Sequence, residues 1–175
     1  VIQPWAKLPS VHGQDGMGDL IAPCLSDLPV LSFDDWLKED NSPMTLVSLG
    51  PCTVTLKILT EKGAQELLIM GGFVDEAPNF HGYEFNHYLD IPAFNACVKY
   101  PHVVATLDSC RVPRFNYAGK RFKETSLLNK LINRAEEFAE KRHPDNCYIY
   151  DFITVHWLTE PESFTVQIKT DREGN

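Results

Sequence analysis

Three short apolar runs, separated by helix-like stretches, constrain this chain more than anything else in it. Thr45 to Leu49 is halted by Gly50-Pro51, Leu67 to Met70 by Gly71-Gly72, and Val103 to Leu107 is the third. Unalternating runs of this length, rich in β-branched residues, read as strands buried on both faces. Thr53 to Thr60 between the first two reads as a helix. Asp90-Ile91-Pro92 supplies an N-cap with proline in the first turn and leads a further helix through Cys97 and Val98. Strand, helix, strand, helix, strand predicts an α/β fold with an open, mostly parallel, doubly wound sheet.

The flanks are less regular. Gly13, Gly16, Gly18, Pro23 and Pro29 break any period in the first thirty residues, which read as loop. Ser32 with Asp35 predicts a capped short helix carrying Phe33, Trp36 and Leu37, ended by Asn41 and Pro43. Leu127, Leu128, Leu131, Ile132, Ala135, Phe138 and Ala139 recur at helical spacing and predict a surface helix with that face on a core. Ile149 to Leu158 is a mixed aromatic and apolar segment. Phe164, Val166 and Ile168 alternate with Thr165, Gln167 and Lys169 as in a half-buried strand. With no repeat and no Gly/Ser linker, residues 1–175 read as a single unit.

Composition removes some function classes. Sixteen basic against twenty-four acidic residues give a net charge of -8, which repels phosphate backbones and anionic lipid. The densest basic stretch, Lys120, Arg121 and Lys123, holds one aromatic and reads as a solvated loop, so no nucleic-acid partner is expected. No apolar run reaches the length of about 18 residues that spans a bilayer, so no membrane partner is expected either. Five widely spaced cysteines without a CxxC pair predict free thiols, no zinc, and a cytoplasmic location. The opening Val-Ile-Gln-Pro-Trp, without an initiator Met, predicts a start inside a longer coding sequence.

Ligands of doubly wound sheets sit beyond the carboxyl ends of the strands, so the residues after each run carry the chemistry. After the first run, Thr53 offers a hydroxyl and a carbonyl oxygen to a ligand or hard cation, or serves only as a helix N-cap. After the second, Gly71 and Gly72 open the backbone to close approach, and Asn79, Glu84 and Asn86 match a polyhydroxyl ligand such as ribose. The same side chains could instead satisfy only the loop's own backbone. Asp151, entering an apolar segment, is a ligand or an N-cap. His81 and His87 lie near the second loop, and a lone histidine of this kind is read as structural.

These stretches, in this order, resemble the nucleoside hydrolase family (inosine-uridine preferring nucleoside N-ribohydrolases). Leu68-Ile69-Met70-Gly71-Gly72 with Glu84-Phe85-Asn86 is similar to the family's MGG strand end and EFN motif, and Asp90 sits at its DPEAA-type helix start. Val47 to Thr53 resembles its GPLTN stretch, Val11 to Gly18 its HG-x-x-GL-x-G loop, and Tyr150 to Val155 its HDPLAVA helix. The resemblance implies hydrolysis of the N-glycosidic bond of ribonucleosides, in purine and pyrimidine salvage, with a bound calcium ion. It assigns the ribose to Met70, Asn79, Glu84, Phe85 and Asn86, and calcium ligation to Thr53 and Asp151.

The departures matter as much. No DTDPGIDDA-like stretch is present, Tyr150 stands for the family's His, and Val54 for its Asn. This predicts an internal portion of the fold, incomplete at both ends and not catalytic as this chain alone. Another segment or chain is then expected to supply the missing N-terminal strand, with association into an oligomer. The alternative is a degenerate, non-catalytic binding or assembly subunit; a generic α/β interaction module is the third reading. Loss of Glu84 or Asn86 is expected to weaken ribose binding while leaving folding nearly untouched.

Overall fold

The computed structural model describes residues 31–39, 44–141 and 145–165. Its elements in chain order are α1 (Phe33–Lys38), β1 (Thr45–Ser48), α2 (Thr53–Glu61), β2 (Glu66–Met70), α3 (Phe85–Leu89), α4 (Ile91–Cys97), β3 (Val103–Ala105), α5 (Leu107–Cys110), α6 (Leu127–Glu140) and α7 (Tyr150–Thr159), with 3-10 turns at Pro113–Phe115 and Pro161–Ser163. The backbone packs as two compact units. One is Arg111–Ile149 with the described residues up to Lys38; the other is Glu39–Cys110 with the described residues from Tyr150 onward. No linker composition marks these boundaries in the sequence.

The second unit carries the α/β architecture. Its three strands are parallel in the order β1-β2-β3, with Leu46 opposite Leu67, Ser48 opposite Ile69, and Ile69 opposite Val104. β2 is central, and Leu67, Leu68, Ile69 and Met70 are each at most 2% exposed, a burial that stabilises by about 1.5–3 kcal/mol for each large side chain. Alternation sends Leu67 and Ile69 to one face, where they join Cys52 and Leu59 near or on α2 and Ala93, Phe94 and Cys97 of α4. Leu68 and Met70 point to the other face, and α7 packs on β2 and β3. Helices on both faces make the sheet doubly wound.

Two sequence expectations change here. Only Ser48 of β1 is buried, so that run is not covered on both faces; β1 is an edge strand of the described sheet and has one neighbour. The third strand stops at Ala105. The N–H of Leu107 bonds the carbonyl of Gly72 at 3.1 Å and the chain turns into α5, burying Leu107 completely. The capped starts hold: Asp90 accepts from the N–H of Ala93 at 3.1 Å, and Ser32 from that of Asp35 at 3.1 Å.

In the first unit, Ser126 caps α6 by accepting the N–H of Asn129 at 3.2 Å. Its buried face is only in part the apolar one expected, with Leu131, Ile132 and Ala139 half-buried. Leu127 and Leu128 are 50% and 64% exposed, whereas Asn133 and Glu136 are buried. The loop before the helix explains the exchange, because its backbone polar groups need partners once covered. Asn133 accepts from the N–H of Phe122 at 2.9 Å and donates to that residue's carbonyl at 2.8 Å. Glu136 accepts the N–H of Gly119 at 2.9 Å and pairs with Arg121.

Cys52, Cys97, Cys110 and Cys147 are buried free thiols. Among the described residues no helix is long and apolar enough to cross a membrane. The expected strand at 164–169 falls outside the described residues beyond Thr165, as do the loop of the first thirty residues and the stop at Asn41 and Pro43.

Candidate functional site

At the carboxyl end of β2 the backbone leaves the sheet through Gly71 and Gly72. Gly71 is needed for room: a Cβ there would lie 2.7 Å from Cε2 of Phe94 and 3.3 Å from Oε2 of Glu84. Gly72 has φ +69°, the left-handed region that side chains rarely adopt. The expectation of close approach is therefore met by the chain's own side chains.

Glu84 lies at the centre of this arrangement and is 2% exposed. It is the N-cap of α3, accepting the N–H of His87 at 3.0 Å, and it also takes the N–H of Gly72 at 3.2 Å. Burial pushes its carboxyl upward, against the lowering pull of the N–H groups of Asn86, His87, Gly72 and Phe85. One side chain thus fastens both ends of the 73–83 loop. Asn86, on the first turn of α3, donates through Nδ2 to the carbonyl oxygen of Met70 at 3.2 Å, with the Met70 sulfur also at 3.2 Å.

The far end of the loop is a tight hairpin turn. Phe80 and Tyr83 exchange backbone hydrogen bonds of 2.9 and 2.8 Å, and His81 and Gly82 between them both take positive φ, the signature of a two-residue primed turn. Phe80 docks edge-on against Phe85 and Tyr88, with ring centroids 5.2 and 4.9 Å apart. Asn79, just before the turn, is exposed. His87 stacks on Phe94 at 4.1 Å, and burial lowers its pKa from the ordinary imidazole value.

The structure places the remaining sequence candidates as follows. Thr53 is the first residue of α2 rather than its cap, a position held by Cys52 without a side-chain bond. Its hydroxyl donates to Asp90, whose other oxygen caps α4. Asp151 is the second residue of α7. Its side chain keeps exposed surface while neighbouring protein atoms partly desolvate the carboxyl. Desolvation first, and the charge of Glu84 second, push its carboxyl up to about 6. Met70, Glu84, Asn86 and Asp151 therefore share one region of the sheet end; Thr53 is tied instead to α4.

Sequence reasoning missed Asp108. It follows the third apolar run by one residue, the kind of position where such residues were sought, yet the sequence reading did not single it out. Its carboxylate accepts the N–H groups of Val74, Asp75 and Glu76 at 2.8, 2.8 and 2.9 Å. Desolvation alone would raise its pKa, but the N–H groups of Asp75, Val74 and Glu76 and its own outweigh that and hold it at about 2.

Chemically, the sheet end offers two carboxylates close enough to sense each other and a carboxamide beside them. Such a set suits a ligand rich in hydroxyl donors, each of which relieves carboxylate repulsion by supplying a hydrogen bond.

The model of the family described as inosine-uridine preferring nucleoside hydrolase matches residues 1–175. Among curated proteins, the pyrimidine-specific ribonucleoside hydrolase RihA of Salmonella schwarzengrund is 27% identical over 176 residues, covering 89% of this chain and 57% of its own length. The protein of the same name from Salmonella agona is 28% identical with the same coverage. This chain thus spans little more than half the length of the curated relatives it matches. Among solved structures, a purine-preferring ribonucleoside hydrolase from Gardnerella vaginalis superposes with a TM-score of 0.68 at 19% identity, covering 94% of this chain and 60% of that one. At that identity the likeness concerns the fold.

Proposed function

Because the chain belongs to the inosine-uridine preferring nucleoside hydrolase family, we propose that it forms the ribose-holding side of a nucleoside site, as an internal part of a nucleoside hydrolase-like domain. The observation that carries this reading is the placement of Glu84 and Asn86 together at the end of β2, Glu84 bonded to Gly72 and Asn86 to Met70, with Asp151 near enough to feel the charge of Glu84. A carboxylate acceptor beside a carboxamide is the chemistry that vicinal hydroxyls call for, and a ligand would share these groups with the backbone they already bond. Phe85 and Asn79 complete the rim.

Ribonucleosides are the substrate class this reading names, and hydrolysis of the N-glycosidic bond is the activity of the whole protein it implies, in nucleoside salvage. The sequence holds no DTDPGIDDA-like aspartate cluster, so the general base must come from another segment or chain, and the reading for this chain alone is binding without turnover. A partner strand beside β1, an edge strand of the described sheet, is consistent with that, as is an oligomer. Buried thiols accord with a cytoplasmic location.

Calcium, which the family resemblance assigns to Thr53 and Asp151, does not fit the donors described. No group of three or more His, Cys, Asp or Glu side chains among the described residues is arranged to hold a metal. The Thr53 carbonyl and the Asp151 carboxylate are too few donors, since calcium takes about six to eight oxygens. No step is routed through the ion.

The test is calorimetric titration of the protein with uridine and with inosine, repeated for Asn86→Ala and Glu84→Gln. Binding by the parent and affinity about tenfold or more weaker in the variants is expected, since each unmade bond to ribose is worth about 1–3 kcal/mol. Equal binding by all three would remove these residues from the site. No binding of either nucleoside by the parent would favour the generic interaction module.

A further inference from the structure

Beyond the residues that would touch a ligand, the structure assigns Asp108 as the positioning residue of the 73–83 loop, and hence of the rim that Asn79 brings to the proposed ribose site. This rests on the nucleoside-binding reading given above.

The geometry is that of a ladder continued by a side chain. Past the last residues of β2 and β3, Gly71 donates to Ala105 at 3.1 Å and Leu107 donates to Gly72 at 3.1 Å. There the backbone pairing ends, because α5 begins and its carbonyls turn into the helix. One residue further along, the Asp108 carboxylate takes over as acceptor for three successive amides, those of Val74, Asp75 and Glu76. Three successive N–H groups converging on one anion form a nest, and charge-assisted bonds of this kind are stronger than neutral ones.

The loop then has two anchors, both carboxylates. Glu84 returns it to Gly72 at its base, and Asp108 fixes its outgoing limb against α5. Between them Ala77, Pro78 and Asn79 are exposed. The outgoing limb bears exposed Phe73 and Val74, 36% and 40% accessible, and little apolar burial holds it down. The direction in which Asn79 is carried is therefore set at Asp108. Without that carboxylate the limb samples other positions, and a ligand must select the competent one, which weakens apparent affinity by the fraction of time it is absent.

The experiment compares Asp108→Ala and Asp108→Asn with the parent, with Ser126→Ala of α6 as a variant destabilised elsewhere. Amide hydrogen exchange is read at Val74, Asp75 and Glu76, and uridine affinity by calorimetry. The expected result is about tenfold or more loss of protection at those three amides in Asp108→Ala and about tenfold weaker uridine binding. Asp108→Asn, which keeps one acceptor oxygen, falls between, and Ser126→Ala leaves both readouts at parent values. Unchanged exchange in Asp108→Ala overturns the anchor. Raised exchange with undiminished uridine affinity overturns the positioning role and leaves the ribose site standing. If the parent binds neither uridine nor inosine, the nucleoside reading falls and the positioning role with it, while exchange alone still reports whether Asp108 holds the loop.

Discussion

The ring edge of Phe94 packs so tightly over Gly71 that a single added methyl would meet Cε2 at 2.7 Å. Phe94 belongs to the core shared by α2, α4 and β2, so the ring has nowhere to retreat. Gly71→Ala is expected to cost about 1–3 kcal/mol in urea denaturation, the usual range for overpacking. Gly50→Ala, with nothing within 4 Å of its added Cβ, should change stability by less than about 0.5 kcal/mol. Equal losses in the two variants would mean the contact at Gly71 is not rigid.

Glu84→Ala should lose stability as well as ligand. It removes an N-cap and leaves the N–H of Gly72 without its acceptor, together about 1–3 kcal/mol. The expectation that folding would be nearly untouched thus does not survive the structure for Glu84. Asn86→Ala, which loses its contacts to Met70 only, should cost less, and thermal melts of the two variants decide the order.

For α6 the prediction inverts the sequence pattern. Leu128→Ala is expected to change stability by less than about 0.5 kcal/mol, since the side chain is 64% exposed. Asn133→Ala should cost about 1–3 kcal/mol because the N–H and C=O of Phe122 lose their partner. Chemical denaturation that found Leu128 the more costly would show that the loop does not lie on the helix as described.

The acid side of the stability profile should carry a contribution from Asp108. Its folded pKa of about 2 lies below its ordinary value of 3.8, so the unfolded chain takes up the proton first on acidification. The contribution is complete above about pH 4 and is lost as pH falls through 2, with a size on the order of 1 kcal/mol after allowing for solvent screening. Asp108→Asn should flatten the profile between those limits, and a profile identical to the parent's would count against the nest.

Calcium titrated calorimetrically into the 175-residue chain is expected to show no sub-micromolar binding, because the described residues bring no group of three or more metal-ligating side chains together. A tight isotherm would mean that a ligand shell forms from residues outside those described.

The sheet was legible because β2 announces itself: four apolar residues stopped by two glycines leave few alternatives to a buried central strand. The caps at Asp90 and Ser32 were legible for a similar reason, since a short polar side chain before an apolar run has one common use. The α6 face was legible only in part, because periodicity assumes that apolar residues go inward and cannot foresee a loop whose backbone requires Asn133 and Glu136 as partners. Motif spacing singled out Glu84 and Asn86 as candidates but not the bonds they make. Asp108 escaped altogether because its partners are backbone amides, which have no signature in sequence.

The double engagement of Glu84 also bears on descent. A lineage that gave up hydrolysis, or even the ligand, would still be held to a glutamate here by the need to close the loop and start α3. Selection for a foldable chain and selection for a working site would leave the same letter at this position. Retention of the motif is therefore poor testimony about activity in this branch of the family, and the more telling positions are those whose side chains do nothing for the fold.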